Sequence, residues 1–199
     1  MNIPGLPTSN RYFEAKIGAY ASSVFPGNFL VINTPGEAVT TLLGSCVAAC
    51  VRDTKTGIGG LNHFLLPEED NPNKSGFSSR YGVYAMELLI NEILKRGGTR
   101  ESLEAKAFGG SRVIETSAQS SVGNRNVSFV KEYLDSEGIA LSASDLGGGR
   151  ARRVFFFPDS GRVVVQRLPM EDNKHASDQD AQLQTHVKQA KPAGGVELF

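Results

Sequence analysis

Residues 40–67 read TTLLGSCVAACVRDTKTGIGGLNHFLLP. The stretch holds both cysteines, Cys46 and Cys50, and His63, the one histidine outside the C-terminal tail. A small-residue turn, Gly44-Ser45, leads Cys46 into an apolar run, Val47-Ala48-Ala49-Cys50-Val51. Seventeen positions after Cys46, a second run, Leu61-Asn62-His63-Phe64-Leu65-Leu66, carries the histidine. Between them Arg52-Asp53-Thr54-Lys55-Thr56-Gly57 is rich in turn formers, so the runs read as neighbouring strands. Pairing sets the start of one near the end of the other and brings Cys46 to His63. A thiol beside an imidazole is the minimum apparatus of a cysteine nucleophile.

The alternation of a strand sets Asn62 and Phe64 on the face opposite His63, which shares its side with Leu61 and Leu65. A histidine on a buried face needs a partner for each ring nitrogen. Cys46 serves one, and Thr40, on the strand before the Gly44-Ser45 turn, is the candidate for the other, although threonine is common in strands for packing alone. A lone cysteine in an apolar run is ordinarily a small buried hydrophobe, and Cys50 fits that description. Cys46 differs because the glycine-serine turn leaves its backbone N–H available to an oxyanion. A Cys46–Cys50 disulfide is ruled out by strand geometry, since four residues span about 13 Å against a limit near ~7 Å. Cys46, Cys50 and His63 offer a metal three ligands at irregular spacing with no obvious fourth, so no metal is expected.

The rest of the chain sets bounds on this reading. Its 199 residues suffice for one domain with a buried core, and Lys+Arg equals Asp+Glu at 21 each. That balance gives no reason to expect nucleic acid or an anionic membrane as partner. No stretch reaches the ~18 apolar residues of a spanning helix, and the N-terminus lacks the pattern of a secretory signal. Two cysteines without a disulfide framework point to the cytoplasm.

Residues 1–26, broken by Pro4, Pro7 and Phe25-Pro26-Gly27, read as a loosely attached arm. Strands follow over Phe29–Ile32 and Ala38–Leu43. Glu68 to Gly76 is a polar loop. A helix starts near Ser78 or Ser79, with Met86, Leu89, Ile90, Ile93 and Leu94 on one face and Gly97-Gly98 after its end. Ala105–Phe108 is a strand running into Gly109-Gly110, and a second helix begins near Asn124 and ends at Gly138. Ile139–Ser144 is a strand, and a hairpin turns at Pro158-Asp159-Ser160-Gly161. Residues 171–195 contain almost no large apolar group, so 171–199 read as a disordered tail, with His175 and His186 solvated and Val196-Glu197-Leu198-Phe199 a frayed end. The domain proper is thus expected over 27–170. The glycine pieces lack the ending of a phosphate-binding loop.

Leu43-Gly44-Ser45-Cys46-Val47 with Asn62-His63-Phe64-Leu65-Leu66-Pro67 downstream resembles the CheD family, the chemoreceptor glutamine deamidases of bacterial chemotaxis. Phe108-Gly109-Gly110, Val122-Gly123-Asn124-Arg125-Asn126-Val127, Asp145-Leu146-Gly147-Gly148 and Pro158-Asp159-Ser160-Gly161 follow in the family's order, over roughly residues 27–168. The resemblance implies an α+β fold, a mixed β-sandwich with helices packed on the outside, related to toxin deamidases. It implies a Cys–His–Thr site in which Cys46 and His63 match the family's cysteine and histidine. The threonine, six residues before the cysteine, matches Thr40, with Thr41 next to it. It implies hydrolysis of receptor glutamine side chains to glutamate with no cofactor, and a phosphatase of the CheC type as a further partner. A non-catalytic docking module that binds such a phosphatase or the receptor is the alternative from another class, and an esterase acting on receptor methyl esters is a third.

Overall fold

The period-two and period-3.6 patterns resolve, in a computed structural model, into two mixed sheets and two long helices. The structure describes residues 9–66, 77–112 and 117–170, together with Asn173, Ala176, Asp178, residues 180–183 and Thr185. The expected polar loop at 68–76, the first eight residues of the arm, His175, His186 and the terminal 196–199 lie outside the described residues.

The first sheet contains β1 (Ser9–Glu14), β2 (Ala19–Val24), β4 (Ala38–Leu43), β9 (Arg152–Phe157) and β10 (Arg162–Arg167), in the order β1-β2-β4-β9-β10. The second contains β3 (Phe29–Ile32), β5 (Val47–Asp53), β6 (Gly59–Asn62), β7 (Leu103–Gly109) and β8 (Ala140–Leu146), in the order β3-β6-β5-β7-β8. One pair in each sheet is parallel, β2 with β4 and β7 with β8. The expected α+β class, a mixed sandwich with helices outside, is the observed one.

Two layers of core follow from alternation along β5. Val47, Ala49 and Val51 face outward, where Met86, Leu89, Ile90 and Ile93 of α1 (Phe77–Lys95) and Val130 and Leu134 of α2 (Ser117–Ser136) cover them. Cys46, Ala48 and Cys50 face inward, against Val39 and Leu43 of β4, Leu61, Leu65, and Val154 and Phe156 of β9. A strand buried on both faces reads as an unbroken apolar run, which is how residues 47–51 look. Burying each large side chain of α1 contributes about 1.5–3 kcal/mol.

Three expectations are corrected. The described part of the N-terminal arm is a hairpin built into the first sheet: β1 pairs with β2, and β2 runs parallel to β4. Ala21 and Val24 are buried on opposite faces of β2, but Ala19-Tyr20-Ala21-Ser22-Ser23-Val24 does not alternate large apolar with polar residues, so the strand signal is weak. α2 begins at Ser117, seven residues before the expected start near Asn124, because Ser117-Ala118-Gln119-Ser120-Ser121 carries no apolar pattern. In the C-terminal tail the described residues are helical, and Asn173, Ala176, Asp180 and Leu183 are buried. Steps of three, four and three keep those four on one helical face. Composition hides the pattern because only Leu183 is large and apolar.

Candidate active site

β5 and β6 pair with Cys50 opposite Leu61, and a further bridge joins Val47 to Phe64 through two hydrogen bonds of 3.0 Å. Continued by one position, this register sets Cys46 across from Leu65 and His63 across from Ala48, all on the inward face. The alanine methyl leaves room for the imidazole, so thiol and ring approach along a diagonal. The main chain of His63 is fixed as well: its N–H donates to Asn28 O at 2.9 Å, and its carbonyl accepts from Gly27 N–H at 2.8 Å.

The turn before Cys46 is held by three donors. Ser111 N–H reaches Gly44 O at 2.7 Å, Gly110 N–H reaches Cys46 O at 2.7 Å, and the Asn126 amide reaches Ser45 O at 2.9 Å. Close approach requires glycine here, since a Cβ at Gly109, whose φ is +107°, would stand 2.2 Å from Cys46 O. Asn126 also accepts from Leu66 N–H at 2.8 Å, tying the turn before Cys46 to the strand end beyond His63. With its carbonyls engaged on that side, the turn presents the Ser45 N–H to the other, where it donates to the Asp180 carboxylate at 2.6 Å.

The third member expected at Thr40 is corrected by one residue. Thr41 Oγ1 lies 2.8 Å from His63 Nδ1. On β4, Val39, Thr41 and Leu43 share the inward face, whereas Thr40 points to the outer side beside Ala38, where its hydroxyl is buried without a partner among the described residues. A shift of one residue in a strand reverses the face. Thr41 Oγ1 also donates to Val24 O at 2.8 Å. A hydroxyl has one proton, and Val24 O takes it, so Thr41 accepts from His63 Nδ1–H. That fixes the tautomer: Nε2 is left with a bare lone pair, buried and unpartnered among the described residues. The imidazole is kept neutral, its pKa lowered from 6.5 to about 3 by burial.

Cys46, His63 and Asp180 offer a thiol, an imidazole nitrogen and a carboxylate oxygen within 4.8 Å of one another, all three buried. The Cys46 thiol donates to Asp180 Oδ1 at 2.7 Å, and the Ser45 hydroxyl donates to Oδ2 at 2.7 Å. Burial pushes the thiol well above its ordinary range, and the charge of Asp180 pushes it further. Burial likewise raises the Asp180 carboxyl, while hydrogen bonds from Cys46 and Ser45 pull it back. Cys50 is a free, buried thiol on the same sheet face, also raised by burial, with Leu61 across the ladder.

Val24, Asn126 and Asp180 escape a reading of the sequence. A signal exists for Asn126, a polar residue on the apolar stripe it shares with Val130 and Leu134. None exists for Val24, which acts through its carbonyl.

A profile described as CheD chemotactic sensory transduction matches residues 65–167. Curated relatives match almost the whole chain. "Probable chemoreceptor glutamine deamidase CheD 1" of Dechloromonas aromatica (strain RCB) is 44% identical over 191 residues, 96% of this chain and 94% of its own length. "Probable chemoreceptor glutamine deamidase CheD" of Stenotrophomonas maltophilia (strain K279a) is 47% identical over 189 residues, 95% of this chain and 94% of its own. The chain belongs to the CheD family. A relative of the same printed name from Xanthomonas campestris pv. campestris (strain B100) is also 47% identical over 189 residues. The profile match begins after Cys46 and His63, whereas these alignments are long enough to take in both the CheD core and the C-terminal segment. Among the described residues no helix is long and apolar enough to cross a membrane.

Proposed function

We propose that this chain hydrolyses glutamine side chains of methyl-accepting chemoreceptors to glutamate, with Cys46 as nucleophile, His63 as base and Thr41 as the residue that orients His63. The observation that carries the reading is His63 Nε2, a lone pair of fixed tautomer with no partner among the described residues, on a ring with a nitrogen within 4.8 Å of the Cys46 sulfur. An unpaired buried polar atom is costly, and it is tolerated where chemistry uses it. The names of the relatives supply the substrate class.

His63 Nε2 takes the thiol proton, and the sulfur attacks the carboxamide carbon, forming the S–C bond while the carbonyl oxygen becomes an oxyanion facing the Cys46 N–H. Collapse breaks the C–N bond. The imidazolium gives its proton to the leaving nitrogen, so ammonia departs from a γ-glutamyl thioester. Water then loses a proton to Nε2 and attacks the thioester. The S–C bond breaks and the thiol is restored, leaving glutamate. No metal or organic cofactor takes part in these steps. Each event adds a negative charge to a receptor helix, which changes helix packing and so adaptation. The substrate domain is cytoplasmic, and the enzyme acts there. α1, which presents an exposed Tyr84, is the surface suited to a phosphatase partner of the CheC type.

Incubation of the protein with a chemoreceptor cytoplasmic fragment, followed by peptide mass spectrometry, tests the reading. The expected result is conversion of particular glutamines to glutamates by wild type and by no Cys46→Ala variant. Equal conversion by that variant overturns it, and loss of a methyl ester in place of an amide nitrogen makes the protein an esterase.

A further inference from the structure

Cys46 is 0% exposed and His63 1%, so a receptor glutamine has no route to either while the molecule is arranged as described. Part of the cover comes from the C-terminal segment, with Tyr81 of α1 packed against the same layer. Leu183 packs in the inward layer with Cys46, Val24 and Phe108. Asn173 pins the segment where it leaves the sandwich, accepting from Ala151 N–H at 3.0 Å and donating to Gly149 O at 3.0 Å. Between these anchors Asp180 inserts its carboxylate, which receives the Cys46 thiol on one oxygen and the N–H and hydroxyl of Ser45 on the other.

The chemistry of that contact excludes two simpler roles. An aspartate that assists catalysis orients the imidazole, yet the partner of His63 Nδ1 is Thr41. A carboxylate on the thiol holds the proton on sulfur, the reverse of activation. What a carboxylate at a deamidating cysteine does resemble is product. Hydrolysis turns a side-chain carboxamide into a side-chain carboxylate in contact with the nucleophile and with the donors that held the oxyanion.

We propose that the C-terminal segment is an internal product mimic: the Asp180 carboxylate fills the pocket in which Ser45 N–H and Oγ and the Cys46 N–H would receive the substrate carboxamide oxygen, and the segment withdraws before a glutamine enters. The identity of the displaced ligand rests on the deamidase reading; the covering of Cys46 does not. The anchors fit a removable part. Among the described residues of the segment, Leu183 is the one buried large apolar side chain, and Asp178, Ala181 and Thr185 are exposed.

Alkylation of Cys46 by iodoacetamide, followed on the full chain at neutral pH by peptide mapping, reads the cover directly, and receptor-fragment deamidation reads its consequence. Asp180→Ala removes the plug and its charge, whereas Leu183→Ala loosens the segment and leaves the charge in place. Both are expected to alkylate at Cys46 at least tenfold faster than wild type and to deamidate faster at limiting receptor. Should Asp180→Ala melt early, Asp180→Asn keeps the shape and removes the charge. Folded variants that alkylate at the wild-type rate overturn the proposal. So does an Asp180 variant that alkylates faster but deamidates more slowly than wild type, which would make Asp180 a catalytic group. Faster alkylation in both variants, with no deamidation by any form including wild type, supports the cover and instead refutes the deamidase reading.

Discussion

Cys46 has two walls, and they are built differently. The wall with the base draws on both sheets: Thr41 on β4, Val24 on β2 and His63 beyond β6 form a chain of 2.8 Å hydrogen bonds whose members are all backbone-fixed. On the opposite side the described residues of the C-terminal segment are helical, with Leu183 as their one buried large apolar side chain and the Asp180 carboxylate against the thiol. The first wall sets a proton acceptor in place before substrate arrives, at the cost of an unpaired buried nitrogen. The second keeps the thiol protonated. Under the two proposals above, the base and its restraint belong to separate parts of the chain.

Removing the base side should have the largest effect. His63→Asn keeps much of the shape but carries no proton, and loss of a general base typically lowers rate about 10²–10⁴-fold. Receptor deamidation by the variant, with its melting curve measured beside it, checks this. A folded variant of near wild-type rate would break the assignment of that wall.

Thr41→Val should come next. It leaves Val24 O and His63 Nδ1–H without their partner, costing about 1–3 kcal/mol of stability, and it releases the tautomer. Deamidation should fall on the order of 10²-fold, the low end of the loss for removing the base itself. A fall in kcat at unchanged KM separates orientation from substrate binding.

Acid should expose the same wall thermodynamically. His63 is held neutral, with a folded pKa near 3 against an ordinary 6.5. The unfolded chain therefore binds the extra proton first, and stability is lost as pH falls from about 6.5 through about 3. At pH 5 the loss amounts to at most about 2 kcal/mol. Urea midpoints of wild type and His63→Asn at pH 7 and pH 5 isolate it, because the raised carboxyl of Asp180 acts with the opposite sign and is common to both. Equal losses in the two proteins would show that His63 titrates normally.

Much of the first wall is legible in the sequence. The turn-separated runs at 47–51 and 61–66 pair as their alternation requires, and His63 faces Leu61 and Leu65 inward. Glycine at 109 and 110 reads only as a turn, and its close approach to Cys46 O needs the third dimension. The second wall is illegible by composition, because a helix whose buried face is Asn173, Ala176, Asp180 and Leu183 has almost no apolar moment. Its signal is the spacing, and its meaning depends on where Asp180 lands. The choice between Thr40 and Thr41 turns on strand phase, which the flanking Val39 and Leu43 encode: both are large, apolar and inward, so Thr41 between them is inward too.

That phase argument yields the smallest and sharpest test. Thr40 is fully buried, opposite Phe155 on β9 and Ser23 on β2, with its hydroxyl unpartnered among the described residues. A buried hydroxyl without a partner costs about 1–3 kcal/mol of desolvation, and valine keeps the branched shape without that group. Thr40→Val should therefore leave deamidation at the wild-type rate and raise stability by up to about 1 kcal/mol, read as a higher urea midpoint at unchanged slope. Thr41→Val, one residue along and chemically identical, should do the opposite on both measurements. If Thr40→Val loses rate and Thr41→Val does not, β4 presents the other face to His63 in solution, and the base would have to be oriented from Thr40.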